Sequence, residues 1–244
     1  ITSYIIVPGL YSLNYNNISM TLVDNARFEP EQVLIVGSNR NVSEAALKGH
    51  VSAWVLPEFN PKTPEAERKA PYPWYADEVT KDILAKSEPL TLQAMPSAEA
   101  QEATHSYKFK APVGRMLYVK VDAGIQAFGG YLSQKPSLTT LEVLPYPQAA
   151  KLLSEGAILS LSGDKKLAFM TRGVNGVQIE IGRVLPNQLH HLVDQNRSGF
   201  ATPDLYDSEM DKLVERMVEK RPLPVTEYGK PSYDNIDFGQ YLKA

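Results

Sequence analysis

The fold of this chain is decided by the stretch from Gly156 to Val193, which reads GAILSLSGDKKLAFMTRGVNGVQIEIGRVLPNQLHHLV. Its centre alternates between apolar and polar side chains with a period of two, in the order Val177, Gln178, Ile179, Glu180, Ile181. Such alternation predicts a strand with one buried and one solvent-facing side. Two short apolar runs separated by Ser162-Gly163-Asp164 precede this strand, and Pro186 follows it at the predicted start of a short helix. The stretch therefore predicts a succession of short strands and turns.

The first half of the chain shows the same pattern of short strands between turn residues. Two of these strands alternate clearly: Tyr107 and Phe109 share one side of the first, and the apolar residues of the next strand share one side of it. Gly129-Gly130 predicts a later turn. Many short strands without a strand–helix–strand rhythm favour an antiparallel sandwich over a parallel sheet. The predicted strands are Ile18–Leu22, Val33–Val36, Val51–Leu56, Leu90–Met95, Ser106–Ala111, Met116–Val121 and Leu138–Leu144.

A proline-rich insert from Pro57 to Pro89 interrupts these strands and contains the aromatic residues Tyr72, Trp74 and Tyr75. Its stretch Ala76–Lys86 predicts one short helix with Val79 and Ile83 on a shared face. An insert of this length inside a compact domain is typical of a functional or docked segment. Two interpretations follow: the insert contacts a partner, or its aromatic residues cover the edge of its own sheet, and the second is favoured.

Pro145-Tyr146-Pro147 predicts the boundary between two domains, because proline withholds backbone donors and stiffens the chain. The first predicted domain is 1–147 with the insert at 57–89, and the second is 148–244. The second contains a helix predicted near Asn187–Gln195 and a longer one at about Asp207–Lys220. In the longer helix, the apolar residues have the spacing of one helical face. Pro222 ends this predicted helix. The stripe is formed by Met210, Leu213, Val214, Met217 and Val218.

The second predicted domain looks incomplete, since only five residues follow Ile236-Asp237-Phe238-Gly239. The opening ITSYIIVPGLYSL has no basic region and no initiator Met, so we expect it to be the interior of a longer precursor that has been trimmed. The sequence therefore predicts a mainly β chain of two antiparallel sandwiches with a few short helices, the second sandwich being truncated.

Composition excludes several function classes. The 244 residues suffice for two domains with real cores, and a formal charge of −3 gives no reason to expect nucleic acid or an anionic membrane as a partner. The absence of cysteine excludes disulfides, thiolate metal sites and cysteine nucleophiles. No apolar run reaches the length that spans a bilayer.

The histidines, serines and glycines predict no reactive site. His190 and His191 are adjacent, so on a helix they point about 100 degrees apart and cannot bind one ion together. His50 and His105 are isolated beside predicted strands. The run Leu159-Ser160-Leu161-Ser162-Gly163 lacks the first glycine of a nucleophile elbow. No phosphate-binding glycine loop is present, and turns or bulges explain Gly173, Gly176 and Gly182.

Four carboxylates precede the longer predicted helix, and their spacing lacks the central glycine and distal glutamate of a calcium loop. A solvated helix start explains them better: Asp204, Asp207, Glu209 and Asp211. The sequence therefore predicts no catalytic residue, no cofactor and no metal ligand.

Several segments together resemble the bacterial alpha-2-macroglobulins, in particular their long periplasmic subgroup. Arg115–Tyr131, followed by the linker Leu-Pro-Tyr-Pro, is similar to the closing strands of the first domain of that family. The segment SEGAILSLSGDKKLAFMTRGVNGVQIEIGRVLPNQLHHLV is similar to the start of the second macroglobulin-like domain. Arg221-Pro222-Leu223 with Ile236-Asp237-Phe238-Gly239 resembles a later strand pair.

The resemblance implies a non-catalytic, N-terminal, two-domain part of a protease inhibitor. In that family a protease cuts a bait segment, and the molecule then collapses around the protease and excludes large substrates. The resemblance implies proteases as partners of the full-length protein, with other cell-envelope proteins as further partners and no nucleic acid or small-molecule substrate. It also implies a periplasmic location, and inner-membrane association of the full-length protein is compatible with it.

Two alternatives remain open at this stage. The chain could be a cell-envelope binding module that uses the 57–89 insert, in which case Trp74 and Tyr75 would form the contact. It could also be a hydrolase on a β scaffold, which predicts a concave pocket with a hydrogen-bonded nucleophile and base.

Overall fold

The structure is a computed structural model that describes residues 13–68, 70–153, 164–188, 190, 214–224 and 229–241. The chain divides into two compact units, unit 1 from Ile1 to Tyr146 and unit 2 from Pro147 to Ala244. This division lies within the proline-flanked segment Pro145-Tyr146-Pro147. Within the described ranges, no helix is both long and apolar enough to cross a membrane.

Unit 1 is an antiparallel β-sandwich. Its first sheet has the order β1-β2-β6-β5 and its second sheet has the order β4-β3-β7-β8, with every neighbouring pair antiparallel. The strands are β1 (Tyr15–Asp24), β2 (Pro30–Val42), β3 (Val51–Val55), β4 (Glu88–Leu90), β5 (Gln93–Ala94), β6 (Glu102–Phe109), β7 (Met116–Val121) and β8 (Ser137–Glu142).

The core of unit 1 lies between these two sheets. Strands β2 and β6 contribute alternate side chains from the first sheet, and β3 and β7 contribute them from the second. The predicted inward faces of β6 and β7 are confirmed, because these residues join one buried cluster. Burying each such side chain contributes roughly 1.5–3 kcal/mol. The inward residues of the two strands are Tyr107, Phe109, Leu117, Val119 and Val121.

Two predictions for unit 1 are wrong in detail. The helix predicted over Ala76–Lys86 is instead a 3-10 turn, Ala76–Glu78, and the short helix α2, Lys81–Leu84, which follows α1 (Glu44–Leu47) in the chain. Val79 and Thr80 separate the two pieces with extended backbone, as suits β-branched residues. The strand predicted over Leu90–Met95 is split into β4 and β5, which belong to different sheets. The turn predicted at Gly129-Gly130 is present, with both glycines at positive φ.

Unit 2 also packs two antiparallel sheets, one with the order β13-β10-β9 and one with the order β11-β12. A buried cluster of Phe169, Ile181 and Ile236 joins side chains from both sheets. The alternation predicted for the deciding stretch is confirmed, because Ile181 is buried while Gln178 and Glu180 are exposed. The strands are β9 (Ala149–Leu152), β10 (Lys166–Arg172), β11 (Gly176–Val184), β12 (Val214–Pro222) and β13 (Ser232–Asp237).

The helix predicted over Asp207–Lys220 is wrong where the structure describes it. From Val214 onward this segment is β12, which pairs with β11 over nine consecutive positions. The predicted stripe is split, since Val214 is buried and Val218 is 57% exposed. Sheet pairing satisfies the backbone and overrides a weak local helix preference. Residues 207–213 lie outside the described ranges, as does most of the helix predicted near Asn187–Gln195, whose beginning is a 3-10 turn over Pro186–Gln188.

Candidate functional site

The insert between residues 57 and 89 covers the outer face of the second sheet of unit 1. Trp54 and Tyr118 project from this face, because they alternate with the core residues of β3 and β7. Trp74 packs against Tyr118 and Leu56 and retains only 2% of its surface. Tyr72 and Trp74 of the insert therefore cover their own sheet, although the covered surface is a face and not the edge that we expected.

Polar contacts fix the insert in place. The indole N–H of Trp74 donates to the carbonyl of Pro57 at 2.8 Å, and the ring of Tyr72 meets the indole edge-on, with 4.9 Å between centroids. The carboxylate of Glu78 accepts the hydroxyl of Tyr72 at 3.0 Å and the backbone N–H of Tyr75 at 3.1 Å. These bonds hold Tyr75 on a closed turn with 65% of its surface exposed.

A polar cleft of about 560 Å³ lies beside Trp74 in the insert. Its lining carries carboxylates and ammonium groups of both signs, together with amide and hydroxyl groups, and it includes neither histidine nor serine. This cleft offers charged and hydroxyl groups for polar contacts. Its charged lining residues are Lys62, Asp77, Glu78, Asp82 and Lys86.

A second groove, of about 370 Å³, lies in unit 2 between the two sheets. Its lining is mainly aliphatic and aromatic, and its described polar members are Lys151, Gln178 and Glu180. Such a mainly apolar lining suits contact with apolar groups. The apolar residues include Leu152, Phe169, Val177, Ile179, Ile181 and Ile236.

Arg221 is a polar centre in the described part of unit 2. From β12 its guanidinium donates to the carboxylates of Glu219 at 2.9 Å and Asp234 at 2.8 Å, and to the carbonyl of Asn235 at 2.8 Å. It also lies over the ring of Phe169, 5.7 Å from the centroid. The backbone N–H of Asn235 and this guanidinium together lower the pKa of Asp234. Arg221 thus connects β12 with β10 and β13 and has a structural role.

Some buried polar groups of unit 1 are hydrogen-bonded within the fold, whereas the hydroxyl of Tyr15 has no hydrogen-bond partner within the described part of the chain. Gln32 is 3% exposed, and its amide donates to the carbonyl of Ala111 at 2.9 Å and accepts the N–H of Ala111 at 2.7 Å. Burial raises the pKa of Tyr107 to about 12, and the charge of Glu44 adds to the effect. Burial also raises the pKa of Tyr15, with Tyr107 as the second cause. Phenols with such raised pKa values remain neutral and supply no general base near neutral pH.

The two described histidines of unit 1, His50 and His105, have different surroundings. The Nε2 atom of His105 is 3.0 Å from the carbonyl of Val42 and 3.1 Å from that of Glu102, so this buried ring has a structural environment. His50 lies 4.0 Å from Asp122, and His190 is exposed. Among the residues that the structure describes, no group of three or more His, Cys, Asp or Glu side chains is placed to hold a metal ion. His191 is outside the described residues.

The remaining residues considered in the sequence lie in a turn, in strand β11 or outside the described residues. Gly173 has a φ of 65°, a turn conformation that favours glycine, whereas Gly176 and Gly182 lie in β11. The serine run at 159–163 and the carboxylates at Asp204, Asp207, Glu209 and Asp211 lie outside the described residues. The absence of a catalytic or metal site therefore stays a prediction for these positions.

Sequence reasoning missed Gln32 and Arg221. The glutamine bonds to a residue 79 positions away, a separation over which spacing gives no signal. The helix predicted over Asp207–Lys220 would place Arg221 just after its end, where its charge would complement the helix dipole. The available signal was the pattern Glu219, Lys220, Arg221, in which alternate residues share one side of a strand.

The amino-acid sequence was compared with those of known proteins, and the similar proteins carry the same family name. No protein-family model matches. The chain is 30% identical over 241 residues to an alpha-2-macroglobulin homolog of Yersinia pestis, covering 98% of the chain and 12% of that protein. It is also 30% identical over 244 residues to an alpha-2-macroglobulin of Pasteurella multocida, covering 100% of the chain and 12% of that protein. The chain thus spans about an eighth of the length of these relatives.

Solved structures with similar chains include bacterial alpha-2-macroglobulins. One is the native Escherichia coli protein spanning domains MG0-NIE-MG1, at 12% identity and a TM-score of 0.41 over 95% of this chain and 62% of the other. Another is Salmonella alpha-2-macroglobulin reacted with methylamine, at 13% identity and a TM-score of 0.47 over 94% of this chain and 12% of the other.

Proposed function

Because this chain belongs to the bacterial alpha-2-macroglobulin family as an N-terminal fragment, we propose that it is a non-catalytic framework part of a protease inhibitor. The full-length protein would inhibit proteases by bait cleavage and conformational trapping. The 244 residues would brace that molecule through their two macroglobulin-like sandwiches. Proteases are then the partners of the whole protein, and this segment has no substrate of its own.

The observation that carries the proposal is similarity to alpha-2-macroglobulins over 98% to 100% of the chain. The chemistry of the described residues supports it. Among the histidines, His105 lies within hydrogen-bond distance of the carbonyls of Val42 and Glu102. The two grooves described above have lining groups suited to contact and packing.

We place the protein in the periplasm, where it would protect the cell envelope, and the full-length protein would associate with the inner membrane. Similarity to bacterial alpha-2-macroglobulins supports this location, whereas a chain without cysteine suits reducing and oxidising compartments alike. Fractionating cells that produce the full-length protein, with and without a salt wash of the membranes, would test it. Recovery in the cytoplasm would contradict the location.

Trapping is tested by comparing how fast the protease hydrolyses a large and a small substrate. A protease is incubated with an excess of the full-length protein, and its rates on a large protein substrate and on a small peptide substrate are then compared. We expect hydrolysis of the large substrate to fall strongly while hydrolysis of the small one continues. If both substrates are hydrolysed as fast as by free protease, the proposal is wrong.

A second candidate is a cell-envelope binding module that uses the insert, and one observation favours it. Tyr75 is 65% exposed on a turn that Glu78 holds closed, and a rigid exposed aromatic is typical of contact residues. Trp74 cannot serve this role, because it is buried. Replacing Tyr75 with Ala should then reduce capture of an envelope protein by at least about tenfold, equivalent to about 1.4 kcal/mol. Unchanged capture would reject this candidate.

A further inference from the structure

One dipeptide in unit 2 combines chemical reactivity with exposure. Asn175-Gly176 is the only Asn-Gly sequence in the chain, and it lies between the end of β10 and the first residue of β11. Both residues are exposed. An asparagine followed by glycine can lose its side-chain amide, because the next backbone nitrogen attacks the side-chain carbonyl carbon and glycine offers no side chain to obstruct it.

The register of the sheet shows where the N–H group of Gly176 points. The N–H of Leu223 donates to the carbonyl of Asn175 at 3.0 Å, and the next pairs along the ladder are Gly176 with Pro222 and Val177 with Arg221. Bonded and non-bonded pairs alternate in an antiparallel ladder. Gly176 and Pro222 are therefore a non-bonded pair, which also suits a proline without an N–H. The attacking nitrogen of Gly176 is not occupied by β12.

Packing explains why glycine is needed at position 176. A Cβ atom built there would lie 3.1 Å from the carbonyl oxygen of Arg221, tighter than nine in ten real Cβ contacts. A larger residue would require the backbone of β12 to shift by a few tenths of an ångström. The close approach of β11 and β12 therefore favours glycine after Asn175, the residue that least obstructs attack on the asparagine side chain.

We infer that Asn175 is a site of spontaneous deamidation and isoaspartate formation. The Gly176 nitrogen loses its proton to hydroxide or another solvent base and forms a bond to Cγ of Asn175. The bond between Cγ and the side-chain nitrogen then breaks, and ammonia leaves with a proton from solvent. Water opens the resulting succinimide ring at either carbonyl, which gives aspartate or isoaspartate. One water is consumed and one ammonia released, with no change in oxidation state.

The two products differ in their effect on unit 2. Aspartate keeps the backbone and adds one negative charge. Isoaspartate sends the backbone through the former side chain, so the carbonyl that accepts the N–H of Leu223 becomes part of a free carboxylate. One extra methylene then enters the chain immediately before β11. Isoaspartate formation should loosen the end of the β11–β12 pair, whereas aspartate formation should leave it paired.

Mass spectrometry of aged protein tests this inference. The folded protein is stored at mildly acidic and at alkaline pH and is then digested, and isoaspartyl, aspartyl and asparaginyl peptides are separated by chromatography. We expect both acidic forms of the Asn175 peptide to accumulate, with a rate that rises in proportion to hydroxide concentration. The change of Asn175 to Gln should abolish them, because the longer side chain would need a less favourable six-membered ring.

Asn235 is the matched internal comparison. It is also exposed, but its successor is the β-branched Ile236, which hinders attack. We expect conversion at Asn175 to exceed that at Asn235 by at least an order of magnitude. Equal rates at the two positions, or an unconverted Asn175 after prolonged alkaline storage, would overturn the inference.

Discussion

Among the described residues, unit 1 encloses a cluster of sixteen buried side chains between two four-stranded sheets. The described part of unit 2 includes a cluster of three buried side chains between a three-stranded and a two-stranded sheet. Within that part, Arg221 forms ion pairs with Glu219 and Asp234 and lies over the ring of Phe169. The contrast between the described parts of the two units leads to an expectation that can be tested. These parts of unit 1 should respond mainly to changes in packing, and those of unit 2 to changes in charge.

The largest expected effect tests packing in unit 1. Changing Trp74 to Ala should lower the free energy of unfolding by about 3–5 kcal/mol, because it removes a fully buried aromatic ring. Urea titration followed by the fluorescence of Trp54 measures this loss. The matched change of Tyr75 to Ala removes an exposed ring and should cost no more than about 0.5 kcal/mol. Equal losses in the two variants would show that the insert does not stabilise its sheet.

A smaller effect is expected at Gln32. Replacement by Leu keeps the volume but leaves the buried N–H and carbonyl of Ala111 without their partner. Such a loss costs about 1–3 kcal/mol. Thermal unfolding followed by circular dichroism would report it. The same substitution at exposed Gln134 is the control and should leave the transition nearly unchanged, so matching shifts would contradict a specific role for the Gln32 bonds.

Arg221 tests the charged side of the comparison. Changing it to Met should destabilise unit 2 by roughly 1–3 kcal/mol, since it removes several charge-assisted bonds together. Arg183, paired with Glu215 on the surface, is the matched control, and its change to Met should cost about 1 kcal/mol at most. Salt should weaken the wild-type contribution of Arg221. A salt-independent difference between the variants would mean that packing and not charge holds β12.

Tyr107 of unit 1 and Asp234 of unit 2 should contribute to stability over different ranges of pH. Tyr107 has a folded-state pKa raised from 10.0 to about 12, so its stabilisation is full below pH 10 and is lost as pH rises through 12. Asp234 has a pKa lowered from 3.8, so its contribution is full above pH 3.8 and is lost as pH falls through the folded-state value. Unfolding curves across pH would show each loss.

The matched variants separate these two responses. Changing Tyr107 to Phe should reduce the alkaline loss of unit 1, and changing Asp234 to Asn should reduce the acid loss of unit 2. If each variant keeps the wild-type pH profile, the titrating groups lie elsewhere and the contrast between the units fails.

Sequence gave a good account of strands whose pattern is local and repeated. The alternation around Ile181 predicts β11, and that of Leu117 and Val119 predicts β7, because burial of one face imposes a period of two. The segment that contains β12 misled the same reasoning. Its apolar spacing fits a helix, but pairing with β11 over nine positions determines its conformation.

Contacts between distant residues account for most of what the sequence could not predict. The aromatic content of the insert was evident, yet only the structure shows that Trp74 is buried while its neighbour Tyr75 is exposed. The Gln32–Ala111 bonds join residues that no short pattern relates. The prediction that no residue is catalytic rests on missing motifs, and activity measurements are what can test it.

The most direct test of the framework proposal uses the 244-residue chain by itself. It is added in excess to a protease, and the rates on a large protein substrate and a small peptide substrate are measured beside a protease-free sample. The proposal predicts that both rates stay equal to those of free protease and that the chain alone hydrolyses neither substrate. A fall in either rate, or hydrolysis by the chain alone, would contradict a purely structural role.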